Sequence, residues 1–352
     1  MNLNLLLVLE NKSADYNFEN LSQSYKIYNT SNPDFLSYIE ALCSGSKAML
    51  SESLWIFLIN DTNNFLRQQY DNLGWNKNDS KKYIDLLNKR TEILKSKGVY
   101  YYQFIIPEKS VIYPEYLPKI FHGKKTNNSR AVLTIYKALP NVYYLEEYLK
   151  NLKSFGLLYF RGDTHTNWLG SYFVYHYIIN KLRSNNYAIS AIPIKNLKKQ
   201  SAEYNGDLYV QLNNDYYDLL KKRAWPVFNN KSYSEYLIRY SLADNNKSSY
   251  KVNVPQDYKE WFNNRETIIY ENKNKDLPRC VVLRDSTCSF ILDYLAEHFS
   301  RTVFIWHNSN IYSEIIEREK ADIVLHIMAE RFLITQNKKK DPFDNIENLK
   351  KS

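Results

Sequence analysis

Residues 279–308 read RCVVLRDSTCSFILDYLAEHFSRTVFIWHN, and this stretch decides the fold class. Its apolar run 280–283 indicates a short buried strand, residues 288–299 have the pattern of a helix, and 302–306 form a second strand-like run. The residues RDS between the first strand and the helix suit a tight turn. A strand, a helix and a strand in such close succession are typical of an α/β protein with a parallel sheet.

The rest of the chain carries further segments of the same kind. Helices are predicted over 80–98, 141–155, 168–184 and 311–319, and strands over 99–107, 131–137, 157–160 and 321–328. Ligands of a parallel sheet bind beyond the carboxyl ends of its strands. The loops expected to meet there are 161–167, 284–287, 306–310 and 329–331.

The middle of the chain is less regular. Residues 186–275 are rich in Asn, Lys, Ser and Tyr, and their helix and strand patterns are weak. We therefore predict a discontinuous α/β domain over 1–185 and 276–335, interrupted by an irregular insertion or cap over 186–275. Residues 336–352 are predicted to form a basic tail.

The composition is that of a globular protein with a basic surface. The 352 residues are 44% hydrophobic and carry a net charge of +9, which permits an acidic polysaccharide, a nucleotide-linked donor, a membrane surface or nucleic acid as partner. The densest basic run, Lys338 to Lys340, fits a solvated tail, and no fold motif for reading nucleic acid accompanies it. We therefore predict no nucleic-acid partner. The 32 tyrosines suit sugar binding, although an AT-rich genome would also enrich Tyr, Asn and Lys.

Cysteine usage and the N-terminal residues bear on location. Three dispersed cysteines suggest no disulfide framework and fit a reducing compartment, and no Cys/His cluster has metal-ligand spacing, so no metal is predicted. The apolar run 5–9 is too short for a secretory signal, and no stretch is long enough to span a membrane. These features predict a cytoplasmic protein, with an extracytoplasmic location as the alternative if the sequence has been trimmed.

Two loops that follow predicted strands carry residues suited to acyl transfer. Ser286 opens a predicted helix, where unpaired backbone N–H groups and the helix dipole would stabilise an oxyanion. A serine nucleophile needs a base, and the base needs a carboxylate that fixes its tautomer; His165 and Asp163 offer both. The alternative is structural, because Asp285 and Ser286 are preferred N-cap residues and a D-x-H loop also occurs as a turn with an incidental histidine.

Other residues and motifs narrow the site. His307, beside Asn308, follows a predicted strand and is a candidate for lining the site, whereas His176 and His326 lie in apolar segments and fit packing roles. The eight glycines form neither G-x-G-x-x-G nor a P-loop, and G-x-S-x-G is absent. These absences argue against a dinucleotide site, a P-loop NTPase and a standard α/β-hydrolase elbow.

Six segments, in order along roughly 50–333, resemble the AlgX/AlgJ-like family of SGNH hydrolases, the alginate O-acetyltransferase family. They are LWIFL at 54–58, IPEKSVIYPEYLP at 106–118, GDTHTNWLG at 162–170, GDL at 206–208, RDSTCSFILDYLAEHFS at 284–300 and ADIVLHIMAER at 321–331. The chain departs from the family pattern at Thr166 and Asn167, where the family has Trp and then Asn or Thr. Thr287 likewise replaces the usual aromatic residue after the serine.

The resemblance implies an SGNH-hydrolase-like parallel sheet flanked by helices, with Ser286 as nucleophile, His165 as base and Asp163 as the residue that orients the base. It also implies four residues that line or brace the site, for which surface salt pairing and sheet packing are the alternatives: Lys109, Tyr113, Glu330 and Arg331. The predicted supporting set is completed by Arg284, Asp285, His307 and Asn308.

The function implied is O-acetyl transfer to hydroxyls of a capsular or exopolysaccharide, or of its sugar precursor, through an acetylated Ser286. Acetyl-CoA is the expected donor, no bound cofactor is expected, and membrane-associated biosynthetic partners are compatible with the sequence. The predicted cap over 186–275 would contact the acceptor. An acetyl esterase would use the same acyl-enzyme with water as acceptor, and a non-catalytic carbohydrate-binding protein is the alternative of another class.

Overall fold

The structure of the protein is a computed structural model. It describes residues 47–346, except for 62, 72–74, 186, 213–233, 245–246, 262–265, 307–310 and 339–340. The apolar run 5–9 lies outside the described residues. Within them, no helix is both long and apolar enough to cross a membrane.

A seven-stranded sheet forms the centre of the fold. The strands of the protein are β1 (Ala48–Leu50), β2 (Ile56–Leu58), β3 (Tyr100–Ile106), β4 (Val142–Tyr144), β5 (Lys198–Asn205), β6 (Ser234–Ser241), β7 (Ser249–Val252), β8 (Thr267–Asn272), β9 (Arg279–Arg284), β10 (Arg301–Trp306) and β11 (Ile323–Ala329). The central sheet has the order β4-β3-β11-β9-β10-β8-β7. Neighbours from β4 to β10 are parallel, and β8 runs antiparallel to both β10 and β7. The predicted α/β fold with a largely parallel sheet is confirmed.

Helices cover both faces of the central sheet. The α-helices are α1 (Phe65–Tyr70), α2 (Lys77–Ser96), α3 (Lys109–Ile112), α4 (Ala131–Ile135), α5 (Glu146–Asn151), α6 (Trp168–Ser184), α7 (Gln256–Trp261), α8 (Leu292–Ala296) and α9 (Ser313–Arg318). Shorter or irregular turns are 3₁₀ helices at Pro114–Tyr116, Lys119–Phe121, Lys153–Phe155, Ile194–Asn196, Tyr209–Gln211, Ser286–Cys288 and Glu330–Lys338.

Alternation along the strands separates two hydrophobic layers. Val282 packs in the same cluster as residues of α6 and α8, whereas its neighbours Val281 and Leu283 pack with residues of α2, α4 and α9. Successive side chains of a strand point to opposite faces of the sheet. The sheet is therefore buried on both sides, which is why its central strands have nearly continuous apolar sequences.

The two longest helices lie where the sequence predicts them. The Asn76 side chain accepts hydrogen bonds from the N–H groups of Asn78 and Asp79 and so begins α2, and Gly98, at φ +76°, follows its end. Helix α6 spans the predicted 168–184, and the Asn167 side chain accepts from the N–H of Gly170 at its start. Local capping therefore sets these boundaries.

Four predicted elements differ in the structure. The segment 141–155 is predicted as one helix, but residues 142–144 form the edge strand β4 and only 146–151 form α5, so the start of the segment belongs to the central sheet. Residues 131–137 were expected as a strand, but 131–135 form α4, because the buried positions 131, 132 and 135 lie on one face of a helix. The predicted strand 157–160 is buried but stands outside the central sheet, and only Tyr159 forms a bridge, with Thr166. The predicted helix 288–299 is divided into the 3₁₀ turn and the short α8.

The region 186–275 does more than form an insertion. Strands β5 and β6 pair as an antiparallel hairpin outside the central sheet, which fits a cap. Strands β7 and β8, however, belong to the central sheet, because β8 pairs with β10 along five residues. The last part of this region is thus built into the α/β layer. The division into a discontinuous domain and a cap stays a prediction.

Part of the predicted basic tail packs against the body of the protein. The Arg90 Nε donates a hydrogen bond to the Pro342 carbonyl, and the Asp344 N–H donates to the Ile311 carbonyl (2.7 Å). Ile346 is buried. Lys339 and Lys340 lie outside the described residues.

Candidate active site

The loops after β9 and β11 meet at the carboxyl edge of the sheet. The Oδ2 atom of the buried Asp285 accepts a hydrogen bond from the N–H of Ala329, the last residue of β11 (2.7 Å). Its Oδ1 atom accepts from the N–H of Thr287 (2.8 Å), so Asp285 caps the short turn that follows β9. Ser286 is the first residue of that turn and is half-buried.

Asp163 and His165 form a hydrogen-bonded pair. The Oδ1 atom of Asp163 lies 2.5 Å from Nδ1 of His165 and also accepts the backbone N–H of His165 (2.8 Å). Burial would raise the pKa of Asp163, but the hydrogen bonds and charge of His165 outweigh it and lower that pKa to about 2. Burial would likewise lower the pKa of His165, but its bond to Asp163 and the carboxylate charge raise it. The carboxylate therefore fixes the ring and favours its protonated form.

The other ring nitrogen of His165 is left for chemistry. Its Nε2 atom is buried and has no hydrogen-bond partner within the described part of the chain. A buried polar atom without a partner is costly unless a substrate group or a reacting side chain meets it. With Nδ1 held by a carboxylate, Nε2 has the environment of a general base.

The Ser286 turn and the His165 loop share two neighbours. Phe290, four positions after Ser286, has its ring centroid 6.4 Å from that of His165, at an interplanar angle of 89°. The charge of Arg331 acts on both loops, since it opposes the rise in the pKa of His165 and is itself stabilised by Asp285. The structure thus brings the two predicted loops to one edge of the sheet.

The β5–β6 hairpin holds Asp163 from the side opposite its histidine. The Tyr204 hydroxyl and the Asp207 N–H each donate a hydrogen bond to Oδ2 of Asp163, both at 3.0 Å. The Asp207 carboxylate in turn accepts from the N–H and the hydroxyl of Thr164 (3.0 Å each). From β6, Oε1 of Glu235 accepts the N–H of Gly162 (2.9 Å). Both oxygen atoms of the Asp163 carboxylate are therefore hydrogen-bonded, which preorganises the Asp163–His165 pair.

Close backbone contact explains a glycine in the segment after β5. A Cβ atom at Gly206 would lie 2.0 Å from the carbonyl oxygen of Gly162. The N–H of Leu208 also donates to that oxygen (3.1 Å). The GDL segment at 206–208 therefore packs directly on the loop that carries Asp163, which needs a residue without a side chain.

Lys109 supports the loop that carries Asp163 and His165. It is 3% exposed, and burial lowers its pKa to about 8 against the opposing charges of nearby carboxylates. Its Nζ donates to three carbonyl oxygens, those of Phe160 (3.0 Å), Arg161 (2.7 Å) and Asp163 (2.7 Å). A single ammonium thus fixes the backbone that leads into the Asp163–His165 pair.

Of three other predicted positions, the structure describes only Tyr113. The Tyr113 hydroxyl accepts the N–H of Leu158 (2.9 Å) and so supports the segment before the loop. Burial raises the pKa of Tyr113 to about 12, which keeps this hydroxyl protonated. His307 and Asn308 lie outside the described residues.

Arg284 supports the turn that presents Ser286. Its side chain is fully buried, and Nη1 lies within hydrogen-bond distance of the Asp285 carbonyl (3.3 Å) and the Ser289 hydroxyl (3.4 Å). Nη2 donates to Oε2 of Glu266 (2.6 Å). The guanidinium therefore ties both ends of the turn together.

The predicted residues Glu330 and Arg331 lie in buried ion pairs beneath the site. Glu330 accepts from Arg130 (2.8 Å) and from the Tyr144 hydroxyl (2.6 Å). Arg331 makes two contacts with the Glu108 carboxylate (2.8 and 2.9 Å), whose pKa burial raises to about 7. Of Glu330 and Arg331, it is Arg331 whose charge affects the pKa of His165 in the candidate site.

Several residues at this site carry no local sequence pattern. The sequence does not predict a role for Tyr204, Glu235 or Phe290, because each comes from a different element and contacts the loop only after folding. Asp207 is the middle residue of the GDL segment that resembles the family. That segment is the sequence feature that could have predicted this contact.

The polar atoms of Asp163, His165 and Asp207 lie within 4.8 Å of one another, a spacing that could hold a metal ion. An ion there would have to replace existing hydrogen bonds, since Nδ1 of His165 already lies 2.5 Å from Asp163 and Asp207 already binds Thr164. Zinc binding by these three side chains would also require breaking the hydrogen bond between the Asp163 carboxylate and the His165 imidazole. The geometry therefore favours a carboxylate–histidine pair.

An α/β sheet with this site at its carboxyl edge defines the class of SGNH-hydrolase-like proteins. The chain belongs to the ALGX family, described as the SGNH hydrolase-like domain of the acetyltransferase AlgX, whose model matches residues 52–229, half of the chain. The predicted membership of the AlgX/AlgJ-like family is thus confirmed. The matched range contains Asp163 and His165 and ends before Ser286.

Solved structures show the same fold at low sequence identity. PatB1 of Bacillus cereus is 20% identical with a TM-score of 0.58, covering 82% of this chain and 97% of that protein. A DHHW family protein from Eubacterium siraeum is 15% identical (TM-score 0.55; 77% and 88% covered). The O-acetyltransferase domain of Pseudomonas putida AlgJ is 15% identical (TM-score 0.54; 87% and 99% covered). No curated protein sequence matches the chain significantly.

Proposed function

We propose that the protein is an O-acetyltransferase that acetylates hydroxyls of a polysaccharide, or of its sugar precursor, through an acyl-enzyme at Ser286. The family domain points to O-acetyl transfer, and the named activity of the AlgJ domain supports it. The observation that carries the proposal is the buried Asp163–His165 pair, whose free Nε2 nitrogen lies at the same sheet edge as the Ser286 turn.

In the first half-reaction the Ser286 hydroxyl attacks the acetyl carbonyl of the donor. Its proton passes to Nε2 of His165, and Asp163 stabilises the imidazolium that forms. The backbone N–H of Ser286, at the start of its turn, would donate to the oxyanion of the tetrahedral intermediate. Collapse of that intermediate returns the proton to the leaving group and leaves acetyl-Ser286.

The second half-reaction runs the same steps in reverse with a sugar. A sugar hydroxyl gives its proton to Nε2 of His165 and attacks the acetyl carbonyl. The new ester leaves as Ser286 regains its proton from His165. Water entering in place of the sugar would give an esterase, so exclusion of water from this step decides between the two activities.

The donor, the acceptor and the location stay predictions. Acetyl-CoA is the expected donor, and a capsular or exopolysaccharide, or its precursor, is the expected acceptor. In the cytoplasm acetyl-CoA could supply the acetyl group directly. Outside the cytoplasm a membrane-associated partner would have to deliver it. The same labelling experiment tests both donor and nucleophile.

Intact-mass analysis after incubation with p-nitrophenyl acetate, and separately with acetyl-CoA, tests the proposal. We expect an adduct of about 42 Da, one acetyl group in place of a hydrogen, on the unmodified chain and on Ser313→Ala, but not on Ser286→Ala. Ser313 begins α9 and serves as the matched control. An adduct that persists in Ser286→Ala would remove Ser286 as nucleophile. Release of the acetyl group to water alone, with sugars present, would identify an esterase.

A further inference from the structure

Glu266 lies at the carboxyl edge of the sheet, although it belongs to the region predicted as an insertion or cap. It directly precedes β8, and its carbonyl accepts the N–H of Trp306, the last residue of β10 (3.2 Å). Because β8 runs antiparallel to β10, the start of β8 lies where the parallel strands end. Trp306 is in register with Arg284, the last residue of β9. Glu266 therefore lies beside the strand end from which the Ser286 turn leaves the sheet.

Glu266 is the ion-pair partner of a fully buried arginine. Its Oε2 atom accepts a hydrogen bond from Nη2 of Arg284 at 2.6 Å, and its side chain is 55% exposed whereas that of Arg284 is 0% exposed. Among the residues that the structure describes, Arg284 forms no other ion pair. The Trp306 ring packs against the guanidinium, with its centroid 4.6 Å from Cζ. A buried cation without a charged partner is strongly destabilising, so Glu266 is what allows the guanidinium to stay in this place.

The same guanidinium contacts both ends of the turn that begins with Ser286. Nη1 of Arg284 lies 3.3 Å from the Asp285 carbonyl oxygen and 3.4 Å from the Ser289 hydroxyl, the residues immediately before and after the turn. Nε of Arg284 is buried and has no hydrogen-bond partner within the described ranges. The orientation of the guanidinium therefore depends on Nη2, which binds Glu266, and on the packed ring. A shift of Arg284 would be transmitted to both ends of the turn.

We propose that Glu266 is a positioning residue for the acylation of Ser286 and that it acts through Arg284; the proposal rests on the function proposed above. By fixing the guanidinium, Glu266 holds the turn so that the Ser286 hydroxyl stays in place for proton transfer to Nε2 of His165. Misplacement of reacting atoms by about 1 Å can cost about a hundredfold in rate. Because Glu266 acts through Arg284 and not on the donor, its loss should slow acylation and leave donor binding unchanged.

Burst kinetics with p-nitrophenyl acetate separate these two effects, since the dependence of the burst rate on ester concentration gives an acylation rate constant and a dissociation constant. We expect Glu266→Ala to lower the acylation rate constant about 10- to 100-fold and to leave the dissociation constant unchanged. Because the Glu266 side chain is half-exposed, formate can enter its place. Formate should restore part of the rate, whereas sodium chloride of equal ionic strength should not.

Glu271→Ala is the matched control for these measurements. Glu271 lies on β8 as well, but it is in register with Arg301 at the start of β10, and its carboxylate pairs with that arginine (3.2 Å). The substitution therefore breaks an arginine–glutamate pair at the other end of the strand. It should change neither the acylation rate constant nor the dissociation constant, with or without formate.

Amide hydrogen exchange tests whether Glu266 holds the turn without requiring any activity. The Ser289 N–H donates to the Ser286 carbonyl (3.0 Å), and in Glu266→Ala its exchange should be about tenfold faster, while that of Val282 within β9 stays unchanged. Glu266→Gln keeps an acceptor for Arg284 and should show smaller changes of the same kind. It replaces the alanine variant if that chain does not fold.

Acylation of Glu266→Ala at the parental rate, an equal loss in Glu271→Ala, or unchanged exchange at Ser289 would each overturn the proposal. A raised dissociation constant with an unchanged acylation rate constant would also overturn it, because Glu266 would then contribute to donor binding. If the parent chain forms no acetyl adduct, the proposed acetyl transfer is refuted, and the exchange at Ser289 still decides whether Glu266 holds the turn.

Discussion

Replacing Tyr204 by phenylalanine removes one defined hydrogen bond from the Asp163 carboxylate. The hydroxyl donates to Oδ2 at 3.0 Å, and burial together with the negative charge of Asp163 raises its own pKa, so it remains a donor. The ring stacks on Phe160 at 3.9 Å, and phenylalanine keeps that contact. The substitution therefore changes the carboxylate without emptying the space around it.

The size of the effect follows from the kind of bond lost. A hydrogen bond to a charged group is worth about 1.5–3 kcal/mol, and since Tyr204 is half-buried we take the lower value, about 1.5 kcal/mol. One pKa unit corresponds to about 1.4 kcal/mol, so the pKa of Asp163 should rise by about one unit from its value of about 2. A more basic Asp163 also raises the pKa of His165, which moves the acid limb of acylation to higher pH.

The sign of the stability effect is set by the lowered pKa of Asp163. A carboxyl with a folded-state pKa below its unfolded value stabilises the fold above the unfolded value and loses this contribution as the pH falls through the folded one. The variant should therefore be less stable than the parent by about 1.5 kcal/mol at pH 7, and the difference should vanish as the pH falls through about 2.

Two measurements check this prediction. Carbon NMR titration of labelled aspartate follows the pKa of Asp163 directly, and urea unfolding at pH 7 gives the loss of stability. Tyr236→Phe, on the facing strand of the same hairpin, is the control, and it should leave the pKa of Asp163 unchanged. An unchanged pKa of Asp163 in Tyr204→Phe would refute the reasoning, because the hydroxyl could then not be bonded to the carboxylate.

Four further outcomes are expected. Asp163→Asn should slow acetylation by p-nitrophenyl acetate about 10⁴-fold with the fold intact, since an amide does not hold the imidazole tautomer, and a rate near that of the parent would contradict this. The pH–rate profile should have its acid midpoint above the usual value of about 6.5, because Asp163 raises the pKa of His165; a midpoint below that value argues against the pair. Gly206→Ala should lower the free energy of unfolding by about 1–3 kcal/mol in urea, as its Cβ would lie 2.0 Å from the Gly162 oxygen, whereas no loss would mean that the loop moves freely. Lys109→Met leaves three buried carbonyls without their donor and should cost about 3 kcal/mol or more by the same assay; a smaller loss would show that water replaces the ammonium.

The central fold could be predicted where sequence and environment agree. Strands such as 280–283 are buried on both faces, so their apolar runs are unmistakable, and α6 is both apolar and capped by Asn167. The prediction of a strand at 131–137 is wrong, because a short apolar run fits a helix turn as well as a strand. Strand β7 lies at the sheet edge with two exposed residues, which leaves little hydrophobic pattern to detect.

In the candidate site, contacts within a short motif could be predicted from the sequence, and contacts between distant segments could not. Asp163 and His165 are two residues apart, so their spacing in the sequence is enough to predict the pair. Tyr204 and Glu235 lie 41 and 73 residues from the atoms they bind, in a region whose sequence has no clear period. Contacts at such separations depend on how the β5–β6 hairpin packs against the loop that carries Asp163, and no short sequence motif predicts that packing.

The attachment of the hairpin to the loop limits how this chemistry could be moved between proteins. Grafting the short D-x-H motif onto another scaffold would transfer the imidazole and its carboxylate without Tyr204 and Glu235, which come from two different strands. The smallest portable unit therefore includes both strands and the loop they hold. Designers who shorten the region between them would have to keep the pairing from 198 to 241 to retain a competent base.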